Sequence, residues 1–130
     1  MPVIYVQTTG SQQVGFGNAQ PIPGLSLTLP EGVGESALVI LNVPNPNTYN
    51  EGTQYASGGW FGISVDGTTL PTVASFSYAI ERNTQGAGRF PTTLVVAVPL
   101  AGKPQTVVAL WRSLGMSLYI DTPASLSALI

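Results

Sequence analysis

Neither histidine nor cysteine occurs among the 130 residues, so the usual proton shuttle near neutral pH and the usual thiolate nucleophile are both missing. Imidazole and thiolate metal sites go with them. The six carboxylates, Glu31, Glu35, Glu51, Asp66, Glu81 and Asp121, show no calcium-loop or repeat spacing, and nothing positive marks two of them as a glycosidase pair. No catalysis, metal or cofactor is expected, and the side chains to follow are those that recognise. Arg89, between Gly88 and Phe90-Pro91, presents a planar fork of donors suited to adjacent hydroxyls. Its competing use is a salt bridge to Glu81 or Asp121 between protomers. Trp60 offers an aromatic face on which a sugar ring would stack, with Gly58-Gly59 permitting close approach, and its competing use is packing in a core or interface. On a strand Phe61 must point the other way, so one of the two belongs to the core. Trp111, inside Val107-Val108-Ala109-Leu110-Trp111, reads as packing. Asn47 and the residues through Gln54 carry amides that both donate and accept, with Tyr49 and Tyr55 among them, although such a stretch also reads as a plain solvated loop.

The elements that must position these side chains are strands. Fifteen Gly and eleven Pro punctuate the chain, and the longest stretch free of both runs from Thr72 to Gln85. Between the breakers lie about nine β-rich runs: 3–9, 25–29, 37–43, 60–65, 73–80, 92–98, 106–113, 117–122 and 125–130. Leu25, Leu27 and Leu29 alternate with Ser26 and Thr28, as do Phe76, Tyr78 and Ile80 with Ser75, Ser77 and Ala79. Val73, Phe76 and Ile80 also fit a helical spacing. Leu38 to Leu41 and Leu94 to Val98 are apolar on both sides, which suits strands held between a core and a subunit interface. Asp66-Gly67 predicts a tight hairpin. The stretch Asn45 to Gly59 reads as one long loop, and Gly15-Phe16-Gly17 and Gly86-Ala87-Gly88 as turns. This spacing predicts a single all-β domain over 1–130, a sandwich or jelly roll.

Composition narrows the partners. Charged residues make up 8% of the chain against roughly 25% in ordinary soluble proteins, while 44% is hydrophobic. A surface so poor in charge calls for cover, partly by neutral polar residues and partly by other copies of the chain. The four basic residues, Arg82, Arg89, Lys103 and Arg112, are scattered and the net charge is −2, so nucleic acid is not an expected partner. No run of 18 apolar residues predicts membrane insertion. The start, Met1-Pro2-Val3-Ile4-Tyr5, lacks the basic region of a secretory signal, which leaves location open, with non-Sec export to the surface one route.

Five segments carry a family likeness. Ile22-Pro23-Gly24-Leu25, Val39-Ile40-Leu41-Asn42-Val43-Pro44, Gly88-Arg89-Phe90-Pro91, Trp111-Arg112-Ser113 and the run from Ile120-Asp121-Thr122-Pro123 to Ala128 stand in one order along nearly the whole chain. Together they resemble the TNF-like fucose-binding lectin domains, of the type found at the N-terminus of the Burkholderia superlectin. The resemblance implies a TNF/C1q-like jelly-roll protomer, a homotrimer, glycan-binding pockets between protomers and no calcium role. It further implies that Arg89 and Tyr78 match sugar-contacting residues, that Ser77 replaces a pocket threonine and that Trp60 replaces a pocket tyrosine. Elsewhere the chain departs from the pattern: Asn47 stands for a tyrosine, Gly86-Ala87 for a Ser-Thr pair from the neighbouring protomer, and Gly115 for a second arginine. Arg112 aligns with a lysine and, on a strand, points away from the Gly115 side. Those departures leave open a trimeric structural or receptor-recognition module without sugar binding.

Overall fold

The computed structural model describes residues 2–51, 57–78 and 85–130, with the backbone alone for 49–51 and 85–87. Among these residues there are strands and no helix: β1 (Val3–Gln7), β2 (Gln12–Gly15), β3 (Gln20–Leu29), β4 (Ser36–Val43), β5 (Pro46–Glu51), β6 (Ser57–Val65), β7 (Thr68–Thr69), β8 (Ala74–Tyr78), β9 (Gln85–Arg89), β10 (Thr92–Pro99), β11 (Gln105–Ser113), β12 (Ser117–Ile120) and β13 (Ser125–Leu129).

All nine expected runs carry strands, and β8 settles its segment as extended as far as Tyr78, while Ile80 lies outside the described residues. Four further strands were not legible. The expected loop from Asn45 to Gly59 contains β5 and the start of β6, and the expected Gly86-Ala87-Gly88 turn lies inside β9. Both β5 and β9 are polar or glycine-rich and form because they pair with each other, β5 also pairing with β12. β3 begins five residues earlier than its leucine pattern, at Gln20. As an edge strand bonded only to β11, it tolerates Pro21 and Pro23, and the register slips between Val108 and Leu110 to accommodate them.

Three antiparallel sheets result, in the orders β1-β13-β4-β10, β2-β12-β5-β9 and β3-β11-β6-β7, with β8 also on β6. The first two have the same order, built from strands consecutive in the chain, and so form one four-stranded layer interrupted at one level. Pro44, Pro91 and Pro123 stand at three of the four interruptions, where the missing N–H ends a ladder. At the fourth, buried Thr8 donates its N–H to the Ala124 carbonyl at 2.9 Å, and its Oγ1 accepts the Ala124 N–H at 3.0 Å. Asp66 and Gly67 both have positive φ, 49° and 84°, in the expected hairpin between β6 and β7.

One core lies between the layers. Leu25, Leu27, Leu29, Phe61, Ile63, Val107 and Trp111 of one layer meet Val39, Leu41, Leu118, Ile120 and Leu126 of the other, all buried. Trp111 is thus packing, and Phe61, fully buried, is the core member of its pair. The doubly apolar strands divide as the pleat dictates: Val39 and Leu41 point in, while Leu38 and Val95 are 42% and 48% exposed. Across β1-β13-β4-β10 the outward side chains align in rows, two largely apolar, Val3–Leu129–Leu38–Ala97 and Tyr5–Ser127–Ile40–Val95, and one polar, Gln7–Ser125–Asn42–Thr93. None of these rows contains a charge. Leu129 and Ile130 are half-buried in the single chain, whereas Leu126 is fully in the core.

Truncating Leu126 to Ala should lower unfolding stability by about 2–5 kcal/mol, since the cavity opens in the middle of a paired strand. Urea unfolding of the variant measures this, and a loss below 1 kcal/mol, on the order of an exposed-site change, would contradict the packing described.

Candidate functional site

The lower half of the creased layer brings four side chains into one outward row. Gln13 lies opposite Tyr119, Tyr119 opposite Asn47, and Asn47 opposite Arg89. Residues directly opposed across antiparallel strands sit about 4.5–5.5 Å apart at Cβ and share a face. Asn47 therefore belongs to a strand surface, not to the loop expected for it.

Arg89, at the end of β9, is held within its own chain. Its Nη1 and Nη2 donate to Oδ1 and Oδ2 of Asp121 at 2.9 and 2.7 Å, and Nη1 also donates to the Asn45 carbonyl at 3.2 Å. Asn45 in turn donates from Nδ2 to Thr122 Oγ1 at 3.3 Å. These groups span the crease between β4 and β5, after β12 and before β10. The salt bridge anticipated as Arg89's competing use is present with Asp121, but inside one protomer, while Glu81 lies outside the described residues. Three of the five guanidinium N–H groups are thus engaged by described residues. The bidentate bond from Arg89, reinforced by its charge, holds the Asp121 carboxyl below its ordinary value, and the same hydrogen bond raises Arg89 against a smaller opposing effect of burial.

Tyr78 and Ser77 are neighbours on β8 and point to opposite faces. Tyr78 points inward, with its hydroxyl 2.6 Å from Oγ1 of the buried Thr48, which also faces the Gly88 carbonyl at 3.3 Å. Its ring packs on Phe90, centroids 5.2 Å apart, and Phe90 packs on Phe76 at 5.0 Å. Gly88 makes room for this cluster, because a Cβ there would lie 2.8 Å from the Phe90 ring and 3.1 Å from Tyr78. Tyr78 is therefore a buttress beneath β9 with its hydroxyl already bonded.

Ser77 faces outward with Ser75 and Trp60, on the other layer. The Trp60 indole lies along β6 over Gly62, where a Cβ would come within 2.6 Å of Cη2. The Arg112 guanidinium is over the ring, 5.4 Å from its centroid. Arg112 points outward and Ser113 inward, as alternation along β11 requires. The Gly58-Gly59 pair does not open a path for a ring to approach. A Cβ on Gly58 would strike the Phe76 carbonyl, and one on Gly59 would lie 3.1 Å from Leu118 and Phe76, so both glycines serve contact with β8 and the core. Among the described residues no three His, Cys, Asp or Glu side chains come together as a metal site.

The five candidate residues thus fall into three places: Asn47 and Arg89 on the outward face of β12-β5-β9, Trp60 and Ser77 on the outward face of β6-β8, and Tyr78 between the layers. Tyr55 lies outside the described residues, as does the Tyr49 side chain. The roles of Tyr119, Gln13 and Gly62 had no sequence signal, since each depends on a cross-strand neighbour or a rotamer.

These features define a class: an all-β, two-layer domain with hydrogen-bonding and aromatic side chains on outward strand faces. Within it, the chain belongs to the family described as Bc2l-C, N-terminal domain, whose model matches residues 4–129, and it is a lectin-related domain. No curated protein matches the chain.

The depressed Asp121 value sets a pH dependence. A carboxyl held low in the fold stabilises above the ordinary aspartate value of 3.8 and loses that contribution as pH falls through the folded value. The difference in thermal midpoint between the native chain and Asp121→Asn should be constant at neutral pH and shrink below about pH 4. A difference that grows on acidification would contradict the assignment.

Proposed function

We propose that this chain is a carbohydrate-binding lectin domain, a TNF-like jelly roll that forms a homotrimer and recognises cell-surface glycans, fucosylated or related, between protomers, without catalysis or cofactor. The observation that carries the proposal is the division of the candidate residues. Arg89 with Asn47, and Trp60 with Ser77, occupy outward faces of different layers with the core between them, so one chain cannot close a pocket from both pairs. Neighbouring copies would bring the faces together. The uncharged outward rows on β1-β13-β4-β10 supply a surface to bury. Strand order supports the jelly roll: joining β1/β2, β4/β5, β7/β8, β9/β10 and β12/β13 as single strands leaves two four-stranded layers, ordered first-eighth-third-sixth and second-seventh-fourth-fifth.

A specific observation favours the second reading, a trimeric structural or receptor-recognition module without sugar binding. Arg89 is already bonded to Asp121 and Asn45, and Gly86-Ala87 and Gly115 present neither hydroxyls nor charge. A glycan array on the purified protein decides between the two.

Light scattering should give a trimer burying well over about 2,000 Å², and Leu38→Glu should shift it toward smaller species. A folded native monomer at micromolar concentration would sink the assembly. Arg89→Ala should remove glycan capture and leave the trimer intact, whereas dissociation on this substitution would make the arginine structural. Free fucose should bind more weakly than about 1 mM, since donors worth roughly 1–3 kcal/mol each are missing. Micromolar affinity by calorimetry would refute that.

A further inference from the structure

On the outward face of β11-β6-β8, Arg112, Trp60 and Ser75 are directly opposed in one cross-strand row, with Ser77 two residues along β8 on the same side. The row is unlike the Arg89 group in one respect. Arg89 is neutralised by a bidentate carboxylate, whereas among the described residues Arg112 makes no hydrogen bond or ion pair and lies over the Trp60 ring. A guanidinium over an aromatic face is attracted by the ring's π electrons, which do not replace the acceptors its N–H groups need. Gly62 fixes the indole beneath it, since a side chain there would lift the ring from the strand. The arginine is therefore placed over the indole with donors left for a two-pronged bond to an incoming anion.

The surroundings select a carboxylate attached to a polyhydroxylated ring. Among the described residues the one ion pair is that of Arg89 with Asp121, and Asp66 lies at the far end of β6 with its Oδ1 accepting the Thr106 N–H, so neither aspartate pairs with Arg112. Ser75 and Ser77 are exposed beside the indole and can meet hydroxyls, while the indole edge left between Gly62 beneath and Arg112 above supplies apolar contact. We infer that the Arg112–Trp60–Ser75 row is an acidic-sugar subsite, in which Arg112 binds the carboxylate of a uronic or sialic acid and Trp60 with the two serines binds the rest of the ring. The inference rests on the lectin reading and assigns its ligand a charge.

The test compares carboxylated glycans, uronic and sialic, with their neutral counterparts on an array, followed by titration of methyl glucuronide and methyl glucoside monitored by tryptophan fluorescence. The native chain should prefer the carboxylated members, and that preference should weaken with added salt. Arg112→Gln should reduce affinity for them by at least about tenfold while leaving neutral glycans unchanged, and Arg112→Lys should restore part of it. Trp60→Phe should remove the fluorescence response, because Trp111 is buried in the core. Neutral glycans bound as well as acidic ones, with Arg112→Gln silent, would overturn the subsite and leave the lectin reading standing. No glycan bound at all would overturn both. If Arg112→Gln does not fold, the native preference and its salt dependence still decide the matter.

Discussion

Four neighbouring strands stop pairing at one level and then resume, and each interruption releases backbone groups that cannot be left without partners. The crease is where this chain places its most specific polar chemistry. Thr8 closes the gap beside Ala124 with a reciprocal pair of bonds, and Arg89, Asp121, Asn45 and Thr122 bridge the other strands. In a protein with so few charges, the one described ion pair stands at the point where the ladder fails. The lower half of the layer, with its row from Gln13 to Arg89, takes its direction from that joint.

Close approach between backbones is the second constraint. Gly58 brings β8 hard against β6, Gly88 admits the Tyr78 and Phe90 rings, and Gly62 lets the Trp60 indole lie flat. Each glycine acts by the absence of a Cβ, not by an unusual backbone conformation. The consequence for recognition is that the aromatic side chains are held firmly by what lies beneath them, so an outward face can be oriented without a deep pocket. Two such faces result, one centred on a neutralised arginine and one on an arginine stacked on an indole.

Low charge connects these surfaces to assembly. Two outward rows of β1-β13-β4-β10 run across four strands with the hydroxyls of Tyr5 and Ser127 as their polar groups, and a surface so composed gains from burial against a like surface. The same shortage of charge means that each arginine, paired or not, dominates the field around it, because few neighbours compete for it.

Much of the architecture was legible from the order of residues. Period-two alternation placed Leu25, Leu27 and Leu29 inside, the Phe61/Trp60 pair on opposite faces and Asp66-Gly67 in a hairpin, because a pleated strand and a left-handed turn impose local rules that the side chains must obey. The motifs around Arg89 and Asp121 carried the family. Tertiary structure alone decided the rest. β5 and β9 lack the apolar alternation that marks a strand, and they exist because β12 and each other supply the missing hydrogen bonds. The partner of Arg89 lies 32 positions away, Gly58-Gly59 face a strand instead of solvent, and Arg112 meets Trp60 only through the register of β11 on β6. Local rules fix which way a side chain points along its own strand. What it meets there depends on the strand paired beside it, and that pairing is a property of the whole fold.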